Sequence, residues 1–509
     1  MRDPDIIVVG SGPNGLVAAT KLAERGLSVL VLEANARRPG GALGSEELTR
    51  PGFVHDVGAA FLPLSRVSRA FRELSVEEHG VRWLNAPIET THPAPDGSSA
   101  CIARLEAASG LPRDYFGSER DTERWERLAR QHAAYESALF DAILAPPPAL
   151  RSWLRVGLVR VVALARAFLS SSGRLAERWF ESTAARRVLP SLGLHADLGP
   201  DDLLGGSLAY VLALSASTVG YPVVQGGAQR LTDALVTLLE LHGGHLRLGA
   251  RVARIVVRGG RAAAVVLDNG EEIPAKHAVV ADTWASTLLL ELLPRAAVPS
   301  AALASAERFR PGFGTFKLDW ALSAPVPWND AAARRSATVH VGASIEELSD
   351  YTRTVHAGRI PERPYLVVGQ QSLIDPTRAP AGAHTLYAYT HVPSGIPGGW
   401  DAERERFADR VEARLEELAP GFRALVLERH LAAPPDLERA NANLVGGDLG
   451  GGSNAWNQQL FLRPFFPYFR YRMPVRGVYL CSSSTHPGGG VHGMCGYNAA
   501  LRVLRDLGA

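Results

Sequence analysis

The first 33 residues hold a strand, a glycine-rich turn, a helix and a second strand in an order that few folds can accommodate. Residues 5–10 form an apolar run typical of a strand buried on both faces, and residues 28–32 form another. Between them, 10–15 have glycine at the first, third and sixth positions, and 16–25 have the apolar spacing of a helix. Glu33 follows the second strand. Together these features predict a βαβ unit that binds a dinucleotide.

Each part of this unit has a physical role in that prediction. The glycines allow a tight turn, close approach of the backbone to a pyrophosphate, and close helix–strand packing. The start of the helix offers free N–H groups to the phosphates, and Glu33 can accept hydrogen bonds from a ribose diol. A βαβ unit without a nucleotide is the alternative, which the complete order of the elements disfavours. The same glycine spacing recurs at 488–493 without a following strand and acid.

Composition excludes several other classes of protein. The chain has 509 residues, enough for about two to four domains, and 54 basic residues nearly balance 52 acidic ones, which argues against nucleic-acid binding. The three cysteines, Cys101, Cys481 and Cys495, have no paired spacing, so a disulfide framework, a zinc site and a dithiol redox centre are not expected. No metal-ligand, Ser-His-Asp or phosphate-loop motif is found, and we predict no metal.

The N-terminus and the longest uncharged segment of the chain indicate where in the cell the protein is expected. The N-terminus runs directly into a strand rather than into a leader peptide, so we expect a cytoplasmic protein, with membrane association as an open alternative. Residues 203–229 contain no charged side chain and are long enough to span a bilayer. Their glycines, serines and proline favour a buried helix followed by a turn.

Further motifs give the chain a resemblance to a known family. Gly40 and Gly41 follow two arginines, Gly226 and Gly227 form a central pair, and Thr485-His486-Pro487-Gly488-Gly489-Gly490-Val491 lies near the C-terminus. The sequence resembles the phytoene desaturase and flavin amine oxidase superfamily. The likeness is closest to the phytoene-dehydrogenase-like branch that includes the pyridine nucleotide-disulphide oxidoreductase domain 2 proteins.

The resemblance implies FAD as the cofactor. It places Val252 against the adenine and points the N-terminus of a last helix, roughly 491–506, at the pyrimidine end of the flavin. Similar proteins have Gly-x-Gly where this chain has three serines at 482–484, which leaves the detail of flavin contact open. The candidate cofactor contacts are Gly10, Gly12, Pro13, Asn14, Gly15, Glu33, Arg37, Arg38, Gly40, Gly41, Val252, Ser483, Gly490 and Val491.

The expected fold is α/β, with a discontinuous Rossmann-like FAD-binding domain and an α+β substrate domain in which helices cap a sheet. The FAD-binding domain is predicted from 1–70, 221–295 and 474–509. The substrate-binding domain is predicted from 71–220 and 296–473, and includes a membrane-contact helix near 150–170 as one alternative.

Three segments describe the substrate side. Residues 151–187 alternate arginines with apolar side chains, which indicates either a helix at a membrane surface through 151–174 or a packed helix with a solvated arginine face. Six aromatic residues within 461–471 suit either a tunnel for a flat or polyene substrate or the core. The uncharged 203–229 could line the same cavity.

Catalytic candidates are His486, His492 and Tyr497, which lie in the segment that the resemblance puts beside the flavin. A histidine in a glycine-rich loop is equally a structural hydrogen-bonding group. The leading hypothesis is an FAD-dependent oxidoreductase that desaturates, or saturates, a carbon–carbon bond in an apolar, polyprenyl- or carotenoid-like substrate. No second nucleotide unit is evident, so electrons would pass to oxygen, a quinone or an unidentified acceptor. The alternatives are a flavin amine or alcohol oxidase, a redox-neutral isomerase, and a flavin-bearing partner protein without turnover.

Overall fold

A parallel sheet is built around the first strand of the sequence in the computed structural model, which describes residues 3–508. Its strand order is β19-β13-β1-β2-β9, and every neighbouring pair in it is parallel. The strands of the molecule are β1 Ile6–Val9, β2 Val29–Leu32, β3 Ser45–Glu46, β4 His55–Asp56, β5 Trp83–Leu84, β6 Ile88–Thr91, β7 Cys101–Ile102, β8 Val223–Val224, β9 His245–Arg247, β10 Val252–Arg258, β11 Arg261–Leu267, β12 Glu272–Pro274, β13 Ala278–Ala281, β14 Gly314–Leu322, β15 Ser336–Val341, β16 Leu366–Gly369, β17 His384–Val392, β18 Val426–Ala432 and β19 Val478–Leu480.

Helices cover one face of this sheet and a hairpin sheet covers the other. The α-helices of residues 3–508 are α1 Pro13–Ala23, α2 Pro63–Val67, α3 Arg69–Glu73, α4 Leu105–Ala108, α5 Glu119–Ala133, α6 Glu136–Ile143, α7 Leu150–Val156, α8 Leu158–Phe168, α9 Ser172–Trp179, α10 Thr183–Gly193, α11 Gly205–Ser217, α12 Gln229–Leu241, α13 Ala285–Thr287, α14 Ser300–Arg308, α15 Ile345–His356, α16 Gln371–Ile374, α17 Trp400–Leu418, α18 Phe422–Leu425, α19 Pro434–Ala440 and α20 Met494–Leu507. Helix α1 packs against α12 and α20. Ile6 and Val8 belong to the core on the helix side, whereas Ile7 and Val9 belong to the core that includes β10–β12.

A seven-stranded mixed sheet forms the second layer system, in the order β18-β14-β17-β16-β15-β6-β7. Its long strands β14 and β17 pair antiparallel along their whole length. One face buries Phe316, Leu318 and Trp320 against α17. The helices α5–α11 share a core with the helix side of the first sheet. The fold is therefore α/β, as expected, with a Rossmann-like sheet and a helix-capped mixed sheet.

Buried charges connect the two systems. Arg378 is fully buried, and its guanidinium donates to Asp56 at 2.9 Å and to Asp375 at 2.8 Å. Asp56 also accepts a hydrogen bond from the N–H of Ala228, directly after the Gly226–Gly227 pair, at 2.9 Å. The central glycine pair is thus held by side chains from distant parts of the sequence.

Three local predictions can be compared with the structure. Residues 205–217 form a buried helix that ends in a turn, as predicted. In the part of the chain from 3 to 508, no helix combines the length and apolarity needed to cross a bilayer. The single helix expected near 150–170 is wrong: Gly157, with φ +94°, separates α7 from α8. The last helix begins at Met494 rather than 491, because Gly493 is in the left-handed region at φ +64°.

Candidate active site

The glycine-rich turn between β1 and α1 forms a cradle that no side chain could share. A Cβ at Gly12 would lie 2.5 Å from Oδ2 of Asp282, and a Cβ at Gly15 would lie 2.3 Å from the carbonyl oxygen of Gly10. Gly12 caps α1 in an extended conformation, and Pro13 occupies the first helical position, where a missing N–H costs nothing. The start of α1 therefore presents the positive end of the helix dipole to a phosphate.

Asp282 is a cradle residue that the sequence reasoning missed. Its carboxylate accepts a hydrogen bond from the N–H of Gly15 at 2.9 Å, and the side chain lines the main cavity. Burial raises the pKa of Asp282 to about 7, against the opposing effect of the Gly15 hydrogen bond. A carboxyl whose pKa is raised in this way carries less negative charge near neutral pH than an ordinary aspartate, which lessens its repulsion of a nearby pyrophosphate. The sequence signal was present, since Asp282 directly follows the apolar strand β13 at the edge where parallel strands end.

Glu33 lies at the same cavity, as expected. Its carboxylate accepts hydrogen bonds from the Ser11 N–H at 2.9 Å, the Ser11 hydroxyl at 2.6 Å and the Asn35 N–H at 2.7 Å. These donors fix its orientation and leave lone pairs for a ribose diol, because a carboxylate offers about four acceptor sites. Val252, which the resemblance puts against the adenine, also lines the cavity.

The remaining cofactor candidates divide into three groups. Gly10, Gly12, Pro13, Asn14, Arg38, Gly41, Ser483, Gly490 and Val491 line the cavity. Gly15 and Gly40 lie behind its wall, where Gly40 donates its N–H to the carbonyl of Ser11 at 3.1 Å. Arg37 is exposed and outside the wall, so its predicted contact is not supported. The glycine-rich cradle, Glu33 and the C-terminal wall residues Ser483, Gly490 and Val491 all line one cavity, which fits a dinucleotide as long as FAD.

The C-terminal wall is held by a buried guanidinium. Arg463 is fully buried and donates to the carbonyl oxygen of Ser483 at 2.8 Å, to that of Gly451 at 3.2 Å and to that of Ser453 at 3.1 Å. It ties the loop 450–453, of which Gly450 and Gly451 line the cavity, to the cavity-lining serine run 482–484. A Cβ on Gly451 would meet the Ser483 side chain, so the glycine makes room for the middle serine of the run.

The two C-terminal histidines lie at the cavity, but Tyr497 does not. His486 and His492 both line it, and burial lowers the pKa of each imidazole to about 4, so both are neutral. Nδ1 of His492 accepts the N–H of Met494 at 3.0 Å, and its Nε2 has no hydrogen-bond partner. The hydroxyl of Tyr497 instead donates to Glu73 at 2.8 Å outside the cavity wall, which does not support a catalytic role.

A tyrosine-rich strand supplies the wall that the sequence analysis overlooked. Tyr387, Tyr389 and His391 alternate along β17 and line the cavity, whereas Leu386, Ala388 and Val392 point into the core against α17. The rings of Tyr387 and Tyr389 are nearly parallel, at 11° and 6.4 Å between centroids. The sequence shows Tyr387, Tyr389 and His391 at every second position, but which way this face of the strand points depends on the neighbouring strands.

One cavity of about 1630 Å³ joins these walls. Ligand sites commonly have about 300–1,000 Å³, so this cavity has room for a dinucleotide and a second molecule. The uncharged segment contributes Leu204, Leu208 and Leu212, as expected. From the aromatic segment 461–471 only Phe461 lines the cavity, while Phe465 and Tyr468 pack in the core.

Exposed apolar side chains lie on and next to α7 and α8, two helices that also contribute to the wall of this cavity. Trp153, Phe168 and Leu169 line it, and we call their exposed neighbours the apolar rim. The rim consists of Leu150, Leu154, Leu158, Val159, Val162 and Leu169, with exposures between 51% and 84%. Four arginines of the same two helices, Arg151, Arg155, Arg160 and Arg166, are also exposed.

Comparison with known proteins agrees with this geometry. The family model for flavin containing amine oxidoreductase matches residues 14–504. The chain is 28% identical to pyridine nucleotide-disulfide oxidoreductase domain-containing protein 2 of Rattus norvegicus, over 99% of this chain and 94% of that protein. It is 28% identical to hydroxyneurosporene desaturase of Cereibacter sphaeroides, over 99% of this chain and 98% of that protein. An oxidoreductase from Methanosarcina mazei has the same fold, with a TM-score of 0.65 and 17% identity over 99% of this chain and 100% of that chain.

Proposed function

We propose a reaction for this chain, which belongs to the flavin containing amine oxidoreductase family. It desaturates, or in reverse saturates, a carbon–carbon bond of an acyclic polyprenyl or carotenoid-like lipid. The protein is an FAD-dependent oxidoreductase. FAD supplies the two-electron chemistry when bound, and the protein binds, orients and encloses the substrate.

The observation that carries this proposal is that the apolar rim lies on and next to α7 and α8, the helices that also contribute Trp153 and Phe168 to the cavity wall. A long apolar molecule could enter beside Trp153 and Phe168 and extend through the same cavity to Tyr387 and Tyr389. Relatives named as desaturases of neurosporene and phytoene derivatives support the same substrate class.

We also propose that the rim rests on a lipid bilayer. Its six apolar side chains would enter the interface, and the exposed arginines of α7 and α8 would meet anionic headgroups. This arrangement delivers a membrane-dissolved substrate to the cavity without a spanning helix.

The two-domain division and the site residues are part of the proposal. All strands of the parallel sheet fall within 1–70, 221–295 and 474–509, and all strands of the mixed sheet fall within 71–220 and 296–473. His486 and His492 are the proposed polar groups at the flavin end of the cavity.

The test uses the FAD-loaded protein without oxygen and vesicles that contain phytoene. We expect loss of the visible absorbance of oxidised FAD and a product lighter than phytoene by two hydrogens, detected by accurate mass. Vesicles without phytoene are the control. A product of unchanged mass would indicate an isomerase, and no change with phytoene or any other acyclic carotenoid would refute the proposal.

A second candidate, an amine oxidase, is favoured by the parallel rings of Tyr387 and Tyr389, which could flank an amine. Against it, the ammonium of Lys317 already lies 5.4 Å from the centroid of Tyr387. Rapid bleaching by benzylamine, in the same anaerobic assay, would establish this alternative.

A further inference from the structure

Two tyrosine side chains of the cavity wall have hydroxyl groups that the protein itself does not pair. Tyr387 and Tyr389 line the cavity from β17. Burial raises the pKa of both phenols, and no hydrogen bond contributes to either shift, so both hydroxyls are protonated at neutral pH. Neither phenolic oxygen is among the fully buried polar atoms of residues 3–508, so both remain open to the cavity.

Other hydroxyl groups of the same cavity are paired within the protein. Ser207, Tyr221 and Thr338 also line it, and each donates to a backbone carbonyl oxygen, at 2.7, 3.1 and 3.0 Å respectively. This pairing leaves only their apolar atoms to face a ligand. A buried hydroxyl that loses water and gains no hydrogen bond is costly. The two unpaired hydroxyls on β17 therefore point to a polar partner inside the cavity, since phenylalanine would serve better against a pure hydrocarbon.

The sheet fixes the positions of the two rings. Gly369 is opposite Tyr387 in the pairing of β16 with β17, and a Cβ at Gly369 would lie 2.3 Å from Cε1 of that ring. The glycine thus leaves the space that the ring fills. The ring of Tyr389 is nearly parallel to that of Tyr387, at 11°. Because both side chains leave the same face of one strand, both hydroxyls are held on the cavity side before a ligand arrives.

His391, the next side chain of this face, adds an unpaired acceptor. Its Nε2 donates to the carbonyl oxygen of Leu194 at 2.9 Å, and burial lowers the pKa of the imidazole, so the ring is neutral and Nδ1 carries no hydrogen. Nδ1 has no hydrogen-bond partner among residues 3–508. The face therefore combines two hydroxyls that can donate with a nitrogen that can only accept.

We propose that Tyr387 and Tyr389 recognise an oxygen function, a hydroxyl or a carbonyl group, carried by the apolar substrate. This inference rests on the proposed function and narrows its substrate class to oxygenated polyprenyl lipids. The substrate oxygen accepts a hydrogen bond from a phenol, and a hydroxyl group can also donate to Nδ1 of His391. A hydrocarbon of the same length leaves all three groups unpaired.

The double variant Tyr387→Phe/Tyr389→Phe removes both hydroxyls and keeps both rings. Tyr221→Phe is the matched control, because it removes a hydroxyl that also belongs to a cavity-lining tyrosine but is paired within the protein. All variants must retain FAD. The single variant Tyr389→Phe carries the same test if the double variant does not fold.

The first readout is thermal unfolding of the FAD-loaded protein without ligand. The double variant should keep the wild-type melting temperature, because the hydroxyls that it lacks have no partner to lose. Tyr221→Phe should unfold at a lower temperature, since the carbonyl of Leu212 loses its donor. A comparable loss in the double variant would show that its hydroxyls are bonded to the protein or to FAD, and would overturn the recognition site.

The second readout is equilibrium dialysis with tritium-labelled geranylgeraniol and with the hydrocarbon in which a methyl group replaces its hydroxymethyl group, both carried by cyclodextrin. In the double variant the ratio of the two dissociation constants should shift in favour of the hydrocarbon by about tenfold, the size expected for one hydrogen bond. In Tyr221→Phe the shift should be less than twofold. An unchanged ratio in the double variant would overturn the recognition site.

The aldehyde geranylgeranial distinguishes the two oxygen functions in the same assay. A shift for the aldehyde as large as that for the alcohol assigns recognition to the phenols alone. A shift confined to the alcohol assigns it to a hydroxyl group that also uses Nδ1 of His391.

Reduction of FAD separates this inference from the proposed function. A shifted ratio without FAD reduction by the alcohol, by phytoene or by any other acyclic carotenoid would support the recognition site and refute the proposed function. Reduction of FAD by phytoene together with an unchanged ratio would support the proposed function and overturn the recognition site.

Discussion

Replacement of Leu154, Leu158 and Val159 by serine should release the protein from lipid vesicles. These rim side chains are 77%, 78% and 84% exposed, so their removal leaves the packed core intact. Full burial of such a side chain is worth about 1.5–3 kcal/mol, and about four-fifths of that is available to each of the three. The triple variant should therefore lose about 4–7 kcal/mol of membrane affinity. This corresponds to binding weaker by roughly 500-fold or more.

The assay is co-sedimentation with vesicles of phosphatidylcholine and phosphatidylglycerol at several lipid concentrations. A triple serine variant of Leu241, Leu427 and Leu501, exposed apolar residues outside the rim, is the matched control and should bind like the wild type. Salt should weaken binding of the wild type, because the exposed arginines of α7 and α8 are proposed to meet anionic headgroups. Equal partition of the rim variant and the wild type would refute the argument that the rim enters the bilayer.

Three further predictions concern the cofactor cradle and the buried charges. Because the pKa of Asp282 is raised to about 7 in the folded state, its protonated form stabilises the fold, and the unfolding free energy of the apoprotein should fall by up to about 4 kcal/mol between pH 4 and pH 7. Asp282→Asn should abolish this fall in urea titrations, and persistence of the fall would assign it to another group. Gly12→Ala should lose FAD on gel filtration, because the added Cβ would lie 2.5 Å from a carboxylate oxygen. Gly110→Ala, the control, should keep FAD. Equal retention of FAD by the two variants would contradict the role of Gly12 in the cofactor cradle. Arg378→Met should cost about 3–5 kcal/mol in urea unfolding because it strands buried carboxylates, and Arg50→Met, at an exposed ion pair, should cost under about 1 kcal/mol; similar costs would count against the buried network.

The parts of the fold that were predicted from the sequence depend on local order. Strand, turn, helix, strand and Glu33 lie within a short segment, so their pattern alone specifies the cradle. Asp282 also directly follows an apolar strand, β13, and could have been predicted from the sequence in the same way as Glu33. The division of 150–170 into two helices at Gly157 could not be predicted, because the spacing of arginine and apolar residues continues across the break.

The rest of the site depends on contacts between distant segments. The alternation of Tyr387, Tyr389 and His391 defines a face, but only pairing of β17 with β14 and β16 turns that face towards the cavity. Such residues are found when the tertiary structure is known.

The order of strands in the parallel sheet has a consequence for the biosynthesis of the protein. During translation, β1 and β2 emerge early and can pair at once, but β1 must keep its other edge open until β13 has been made, and β13 must wait for β19. The wall at 482–492 that closes the cavity emerges later still. A nascent chain therefore has a phosphate cradle long before it has an enclosed flavin site. Stable capture of FAD consequently follows synthesis of the C-terminal segment, and until then the exposed edge of β1 depends on protection from pairing with other chains.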